Sequence, residues 1–312
     1  MTKRLIIDTD MGVDDAHALL MALAEKDVDV IGITTVVGNV GLDQVVENVG
    51  YVLDLAKKDV PYFRGAQFPL ISEPIPPSGL MGLDGLGNAS QDFGGPHHQP
   101  EEESAVFALI RMVKEAAQDS DFTLVALGPL TNLALAVRLM PDFAARVPRL
   151  VLMGGAYKAM GNETWVAEFN FYADPEAARI VLEAGFQDLW ILPWKVSVEQ
   201  MLLWSEYEGL IAMEGPRADF FQKITSTSVK VLREQFHLPG MPTPDQLAMA
   251  VALHPQEVVE EVVHVRACVE ISGRFGRGML AIDWNHKNGD PNVNIVTRVK
   301  KGSTLKMMQA GL

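Results

Sequence analysis

Short, wholly apolar runs alternate along this chain with longer stretches of helical periodicity, and that rhythm limits the fold more than any other feature. Leu5-Ile6-Ile7 is followed by Ala16-His17-Ala18-Leu19-Leu20-Met21-Ala22-Leu23, and the β-branched run 28–37 by a helical pattern over 42–57. Strands with no polar alternation are covered on both faces, as in parallel sheets. The pattern continues with a short strand at Tyr62-Phe63, a helix over 104–118, and strands over 123–127, 149–153 and 188–192. Further helices open near Gly128-Pro129-Leu130-Thr131-Asn132 and at Asp174-Pro175, where proline suits a first helical position. Residues 197–238 read mostly as helices; the segment from Pro239 to Pro244 breaks them, and another begins at Asp245. Strands near 258–271, 279–283 and 293–297 extend the sheet. The expected class is α/β, an open, mostly parallel central sheet flanked by helices. No linker interrupts the pattern, so residues 1–312 are read as one domain.

Four carboxylates, Asp8, Asp10, Asp14 and Asp15, fall within the run from Asp8 to Asp15, with no Lys or Arg among them. The run lies between the first strand and the first helix, at a strand's carboxyl end, where open α/β sheets bind ligands. A capping Asp at a helix start explains Asp14 or Asp15 singly. It does not explain Asp8 and Asp10, which share one side of the strand end if the chain stays extended. A hard divalent cation relieves the repulsion of all four, because calcium and magnesium prefer carboxylate and carbonyl oxygens.

Composition narrows the classes further. A net charge of −14 argues against a nucleic-acid partner, since phosphate contacts need clustered Lys and Arg. Cys268 stands alone, so no intrachain disulfide is available, which suits a reducing cytoplasm. Lys3 and Arg4 precede only three apolar residues, too few for a signal-peptide core, and no apolar run reaches membrane-span length. The expectation is a soluble cytoplasmic protein. With apolar residues at 48%, it can bury a large core. Residues 66–100 are rich in proline and glycine and include the stretch 79–87; so long a loop in a compact domain reads as one wall of a site.

Other polar groups stand where strands end: Asn39 after Val37-Gly38, the carbonyl of Leu127 before Gly128-Pro129, and Asn162, Glu168 and Asn170 after Gly154-Gly155. Asp245 follows Pro244 at a helix start. Each has an ordinary turn or cap reading. Together they form a set of oxygens and neutral amides without a cation, which suits a neutral polyol such as a sugar better than a phosphate.

The segment Asp8-Thr9-Asp10-Met11-Gly12-Val13-Asp14-Asp15-Ala16 resembles the amino-terminal signature of the nucleoside hydrolase (inosine–uridine preferring) family. Val37-Gly38-Asn39, Ala126-Leu127-Gly128-Pro129-Leu130-Thr131-Asn132, Met153-Gly154-Gly155 and Ala167-Glu168-Phe169-Asn170 match in order and spacing, over residues 5 to about 255. The resemblance implies a Rossmann-type core and a calcium-dependent N-ribosyl hydrolase acting on nucleosides, as a homodimer or homotetramer. Carried over by motif, Asp10, Asp15, Asp245 and the Leu127 carbonyl hold the calcium. Asp14 and Asn170 bind ribose hydroxyls, Asn162 and Glu168 bind the 5′-hydroxyl, and Asn39 lies nearby. Asp10 is the general base on the attacking water, and carboxylates around the sugar stabilise an oxocarbenium-like transition state.

The chain departs from the family pattern at the proton donor. Where many relatives have His before the last metal aspartate, Pro244 stands here, and Met81 or a neighbour replaces a loop His. His237 is a substitute acid for the departing base, and Trp165 and Phe236 are candidates to stack on that base. Two other readings remain open. One is a magnesium-dependent phosphotransferase with Asp8 as nucleophile. The other is a binding protein that kept the sugar site and lost its acid.

Overall fold

The computed structural model describes residues 2–77, 79–119 and 121–312. Its strands are β1 (Lys3–Thr9), β2 (Val28–Thr35), β3 (Tyr62–Phe63), β4 (Phe122–Ala126), β5 (Arg149–Met153) and β6 (Leu189–Leu192). They continue with β7 (Leu202–Leu203), β8 (Gly240–Met241), β9 (Val259–Val265), β10 (Ala267–Val269), β11 (Leu280–Ile282) and β12 (Val293–Val299). Among the described residues, eight of these form one sheet in the order β3-β2-β1-β4-β5-β6-β12-β9. Every pairing in it is parallel except that of β9 with β12. Strand order runs outward in opposite directions from β1 and β4. The gap between their carboxyl ends is therefore the topological switch point, the crevice where such sheets bind ligands.

Residues Leu5, Ile6 and Ile7 of β1 are all buried, as their unbroken apolar run requires. Because strand side chains alternate, Leu5 and Ile7 join one core and Ile6 the other. The first core packs helices α1 (Val13–Ala24), α2 (Leu42–Ala56) and Pro244–Leu253; the second packs α3 (Ala105–Asp119), α4 (Thr131–Leu139) and Pro175–Leu182. The expected start at Asp174-Pro175 is met: the Asp174 side chain accepts the Ala177 N–H, and proline occupies the first turn.

The carboxyl-terminal third differs from its sequence reading. The stretch 258–271 is not one strand: it divides at Arg266 into β9, which extends the sheet, and β10, which pairs with β11 as a separate antiparallel ribbon. Only β9 and β12 are sheet extensions. The segment 197–238 holds the helices Trp204–Ile211 and Pro216–Lys230 and a π-helical turn Val231–Gln235, but β7 interrupts it and pairs with β8. Both outcomes depend on partners distant in sequence, which local periodicity does not encode. Among the described residues no helix is long and apolar enough to cross a membrane.

Candidate active site

The chain leaves β1 at Thr9 and enters α1 at Val13, so the acidic run is a tight turn at the switch point. Met11, between Asp10 and Gly12, takes a positive φ of 33°, which sets the two halves of the turn facing different ways. The hydroxyl of Thr9 donates to Asp15 Oδ1 at 2.5 Å and accepts the Met11 N–H at 3.1 Å, while Asp15 Oδ2 accepts the Gly12 N–H at 2.9 Å. Asp15 thus does cap the helix. Asp14 Oδ1 is buried without a hydrogen-bond partner.

Asp8 does not join the group. Its Oδ1 accepts the Thr34 hydroxyl and, at 2.8 Å, the Asn132 amide, within the sheet and away from the turn. The expectation that Asp8 and Asp10 share a side fails because β1 ends between them, and strand alternation ends with it. Asp8 is wholly buried, with Oδ1 doubly bonded and Oδ2 without a partner. It remains structural: its carbonyl accepts the Leu127 N–H at 2.8 Å and registers the β4 end beside the acidic turn.

The carboxyl oxygens that converge are those of Asp14, Asp15 and Asp245, all within 4.8 Å of one another. Asp245 reaches them from the first turn of the helix Pro244–Leu253, whose start is fixed by proline. Asp10 sits beside the three, its Oδ2 accepting the Asn39 N–H at 2.7 Å. Gly38 and Gly128 pack so tightly on Asp10 that a Cβ at either would lie 2.1 Å and 2.9 Å from its carboxylate oxygens. Burial first, then the neighbouring carboxylates, pushes Asp10 and Asp245 well above the usual range and Asp14 up to about 7. Asp15 is raised as well, by burial, despite the Thr9 and Gly12 hydrogen bonds.

Four acids held this close are stable only as partly protonated groups or around a positive charge. The donor set is all oxygen, one buried oxygen lacks a partner, and the Leu127 carbonyl opens nearby. That is what a hard divalent cation requires, and among the described residues the converging group holds carboxylates without His or Cys.

The other expected residues divide into two groups. Asn170 joins the site: its amide donates to the carbonyls of Leu127 at 2.6 Å and Met153 at 3.2 Å, which leaves Oδ1 as its free acceptor. Glu168, also buried, caps the helix Phe169–Ala173, its oxygens taking N–H groups of Asn170 and Gly155 at 2.8 Å and of Phe171 at 3.2 Å. Asn162 is exposed and accepts the Phe169 N–H at 2.9 Å, bracing the same turn. Asn39 Nδ2 lies 3.4 Å from Asp15 Oδ2. By contrast, Trp165 is 81% exposed and stacks on Phe275 at 5.7 Å between ring centroids. His237 is exposed, with a ring nitrogen 3.1 Å from the Arg233 carbonyl, and Phe236 beside it is exposed too. No contact joins these three to the carboxylates among the described residues.

Three further residues brace the turn, of which the sequence reading named Asn132 and Met81 without these contacts and missed Asn48. Asn132 binds Asp8, the Thr35 carbonyl and the Ala66 N–H. Met81 of the glycine-rich loop lies directly over Gly12, where a Cβ would meet its Sδ at 2.6 Å. Asn48, wholly buried on α2, touches the acidic turn from behind. The signal for Asn48 was an amide within the apolar face Val45, Val49 and Val52.

Comparisons with known proteins place the chain among nucleoside hydrolases by sequence and fold. The family described as inosine-uridine preferring nucleoside hydrolase matches residues 5–306. A probable uridine nucleosidase 2 of Arabidopsis thaliana is 32% identical over 98% of this chain and 96% of its own. A pyrimidine-specific ribonucleoside hydrolase, RihB, of Escherichia coli is 33% identical over 92% of both chains. The solved structure of an inosine-guanosine nucleoside hydrolase superposes with a TM-score of 0.91 at 34% identity, covering 100% of this chain and 98% of that one.

Proposed function

The chain belongs to the inosine-uridine preferring nucleoside hydrolase family, and we propose that it splits ribonucleosides into ribose and free base at a calcium site formed by its buried carboxylates. Its activity is hydrolysis of the N-glycosyl bond of nucleosides. The observation that carries the finer reading is the convergence of Asp14, Asp15 and Asp245 around an unpartnered, buried Asp14 oxygen.

Asp10, Asp15, Asp245 and the Leu127 carbonyl are the ligands in this reading. When bound by them, calcium would offset their charge and would make a neighbouring water more acidic. Asp10 is the base. Its carboxylate is fixed by the Asn39 N–H. Asn170, with both amide hydrogens committed to carbonyls, presents Oδ1 to a ribose hydroxyl; the free Asp14 oxygen takes another. Glu168 uses three of about four acceptor positions on the backbone and keeps one for the 5′-hydroxyl, with Asn162 bracing that turn. As the bond to the base breaks, the sugar gains positive charge, and the carboxylates around it favour that state.

The proton for the departing base has no donor at Pro244 or Met81. His237 is the nearest substitute by sequence, and it must leave its Arg233 contact to act. p-Nitrophenyl riboside, whose leaving group needs no acid, separates the steps. The wild type is expected to release phenolate in calcium, and Asp10→Ala to abolish that release. Calcium binding without phenolate release by the wild type marks a binding protein. His237→Ala is expected to slow natural nucleosides by about 10²–10⁴-fold and leave the phenolate reaction unchanged; equal rates on both remove His237 from the mechanism. The relatives' names divide between pyrimidine and purine bases, so a ribonucleoside panel assayed for free ribose assigns the preference.

A further inference from the structure

The carboxylate of Asp15 is held at both of its oxygens. Oδ2 accepts the Gly12 N–H at 2.9 Å, which is all that an acid in the first turn of α1 needs to cap it. Asn39 Nδ2 lies 3.4 Å from the same oxygen. Oδ1 takes a separate bond, from the Thr9 hydroxyl at 2.5 Å. A carboxylate bonded through one oxygen can pivot about that bond, whereas one bonded through both has its plane fixed. The Thr9 bond adds nothing to the helix cap, so its effect lies in where Asp15 points.

Thr9 is well placed for that hold. It is the last residue of β1, wholly buried, and fastened to β2 through its pairing with Thr35 and a bond from the Val36 N–H to its carbonyl at 3.0 Å. Its β-branched side chain is stiff about χ1. Strand alternation sends it to the side opposite Asp8, so Asp8 meets Thr34 and Asn132 while Thr9 reaches the start of α1. The hydroxyl has one proton to give. It accepts the Met11 N–H at 3.1 Å and gives that proton to Asp15. Met11, at a φ of 33°, is the residue that turns the chain between Asp10 and Asp14. One rigid hydroxyl therefore ties the backbone of the turn to the plane of the carboxylate, whose ligand oxygen lies within 4.8 Å of those of Asp14 and Asp245.

We propose that Thr9 is a positioning residue: its hydroxyl presets the Asp15 carboxylate for the cation and takes no part in breaking the bond to the base. This rests on the calcium reading of the cluster. A ligand already held in place loses less freedom when the ion binds, and that saving appears as affinity. Loss of the hydroxyl weakens the hold on the ion but leaves Asp10, the base, with its Asn39 contact.

Calcium titration calorimetry on the wild type, Thr9→Ser, Thr9→Cys and Thr9→Val tests this, together with nucleoside turnover at saturating calcium. Thr9→Ser keeps the hydroxyl and is expected to bind calcium within about threefold of the wild type. Thr9→Val, equal in shape, is expected to bind it about 10- to 100-fold more weakly, as the loss of a hydrogen bond to a charged group implies. Thr9→Cys, a weaker donor, is expected to fall between them. At saturating calcium, kcat is expected to stay within about threefold of the wild type in every variant. Equal affinity in all four proteins overturns the role of Thr9, even where melting temperatures fall, since that marks a purely structural hydroxyl. Thr9→Ser binding as weakly as Thr9→Val overturns it too, because the methyl group is then responsible. If Thr9→Val does not fold, Thr9→Ser against Thr9→Cys decides by the same rule. A kcat at saturating calcium lowered by more than about tenfold in Thr9→Val contradicts a role confined to holding the ion. A wild type that binds no calcium overturns the cluster reading instead, and this role with it.

Discussion

Glu168 offers a titration that one substitution isolates. Burial pushes its carboxyl up from 4.5 to about 7, against the pull of the Asn170, Gly155 and Phe171 N–H groups, and Glu163 adds to the rise. A group whose folded value exceeds its unfolded one keeps its proton longer in the native state. Its contribution is therefore complete below about pH 4.5 and is lost as pH rises through about 7. At about 1.4 kcal/mol per tenfold, that displacement amounts to on the order of 3 kcal/mol. An unfolding entropy of about 2.1 cal/mol/K per residue converts this to a melting shift of about 5 °C for a chain of 312 residues. Glu168→Gln removes the titration while keeping the shape. It also loses one or two caps, a cost of about 1–3 kcal/mol that does not vary with pH. Scanning calorimetry of both proteins in chelator, from pH 5 to pH 8.5, gives the difference curve; the cluster carboxylates titrate in both and cancel. The wild type's advantage is expected to shrink by about 5 °C across that range. Parallel curves refute the claim that Glu168 is held neutral by burial.

Two further outcomes follow from the same geometry. Gly38→Ala places a Cβ 2.1 Å from Asp10 Oδ2, so the carboxylate must turn away from the Asn39 N–H. Turnover is expected to fall at least about 100-fold, for a stability cost of about 1–3 kcal/mol; unimpaired turnover contradicts the assignment of Asp10. Removal of calcium is expected to lower the melting temperature more at pH 8 than at pH 5, because raised carboxylates such as Asp14 are protonated at the lower pH and charged at the higher. A melting difference independent of pH contradicts a cation at that cluster.

Much of the site was legible from the order of residues. Asp10, Asp14 and Asp15 are close in sequence, and the strand-to-helix switch around them is encoded by local periodicity, so their proximity follows without a fold. Asp245 could be tied to them only through a family resemblance, because nothing in the stretch around Pro244 indicates what it faces. The same limit explains β9 and β10: the run 258–271 is apolar enough for one strand, yet it divides at Arg266 because β12 and β11 lie in different places.

Sequence alone determined which chemical groups this protein has and which of them are neighbours along the chain: a parallel α/β rhythm and a set of oxygen donors without cations. Only the tertiary structure decided that Asp8 Oδ1 is bound by Thr34 and Asn132, that Asp14 keeps an unpartnered oxygen, and that Asn48 bonds two loops 36 and 37 residues distant from it. The reason is physical: charge repulsion, desolvation and hydrogen bonding depend on distances of a few ångströms, and for groups far apart in the chain those distances are set by how strands pair and helices pack.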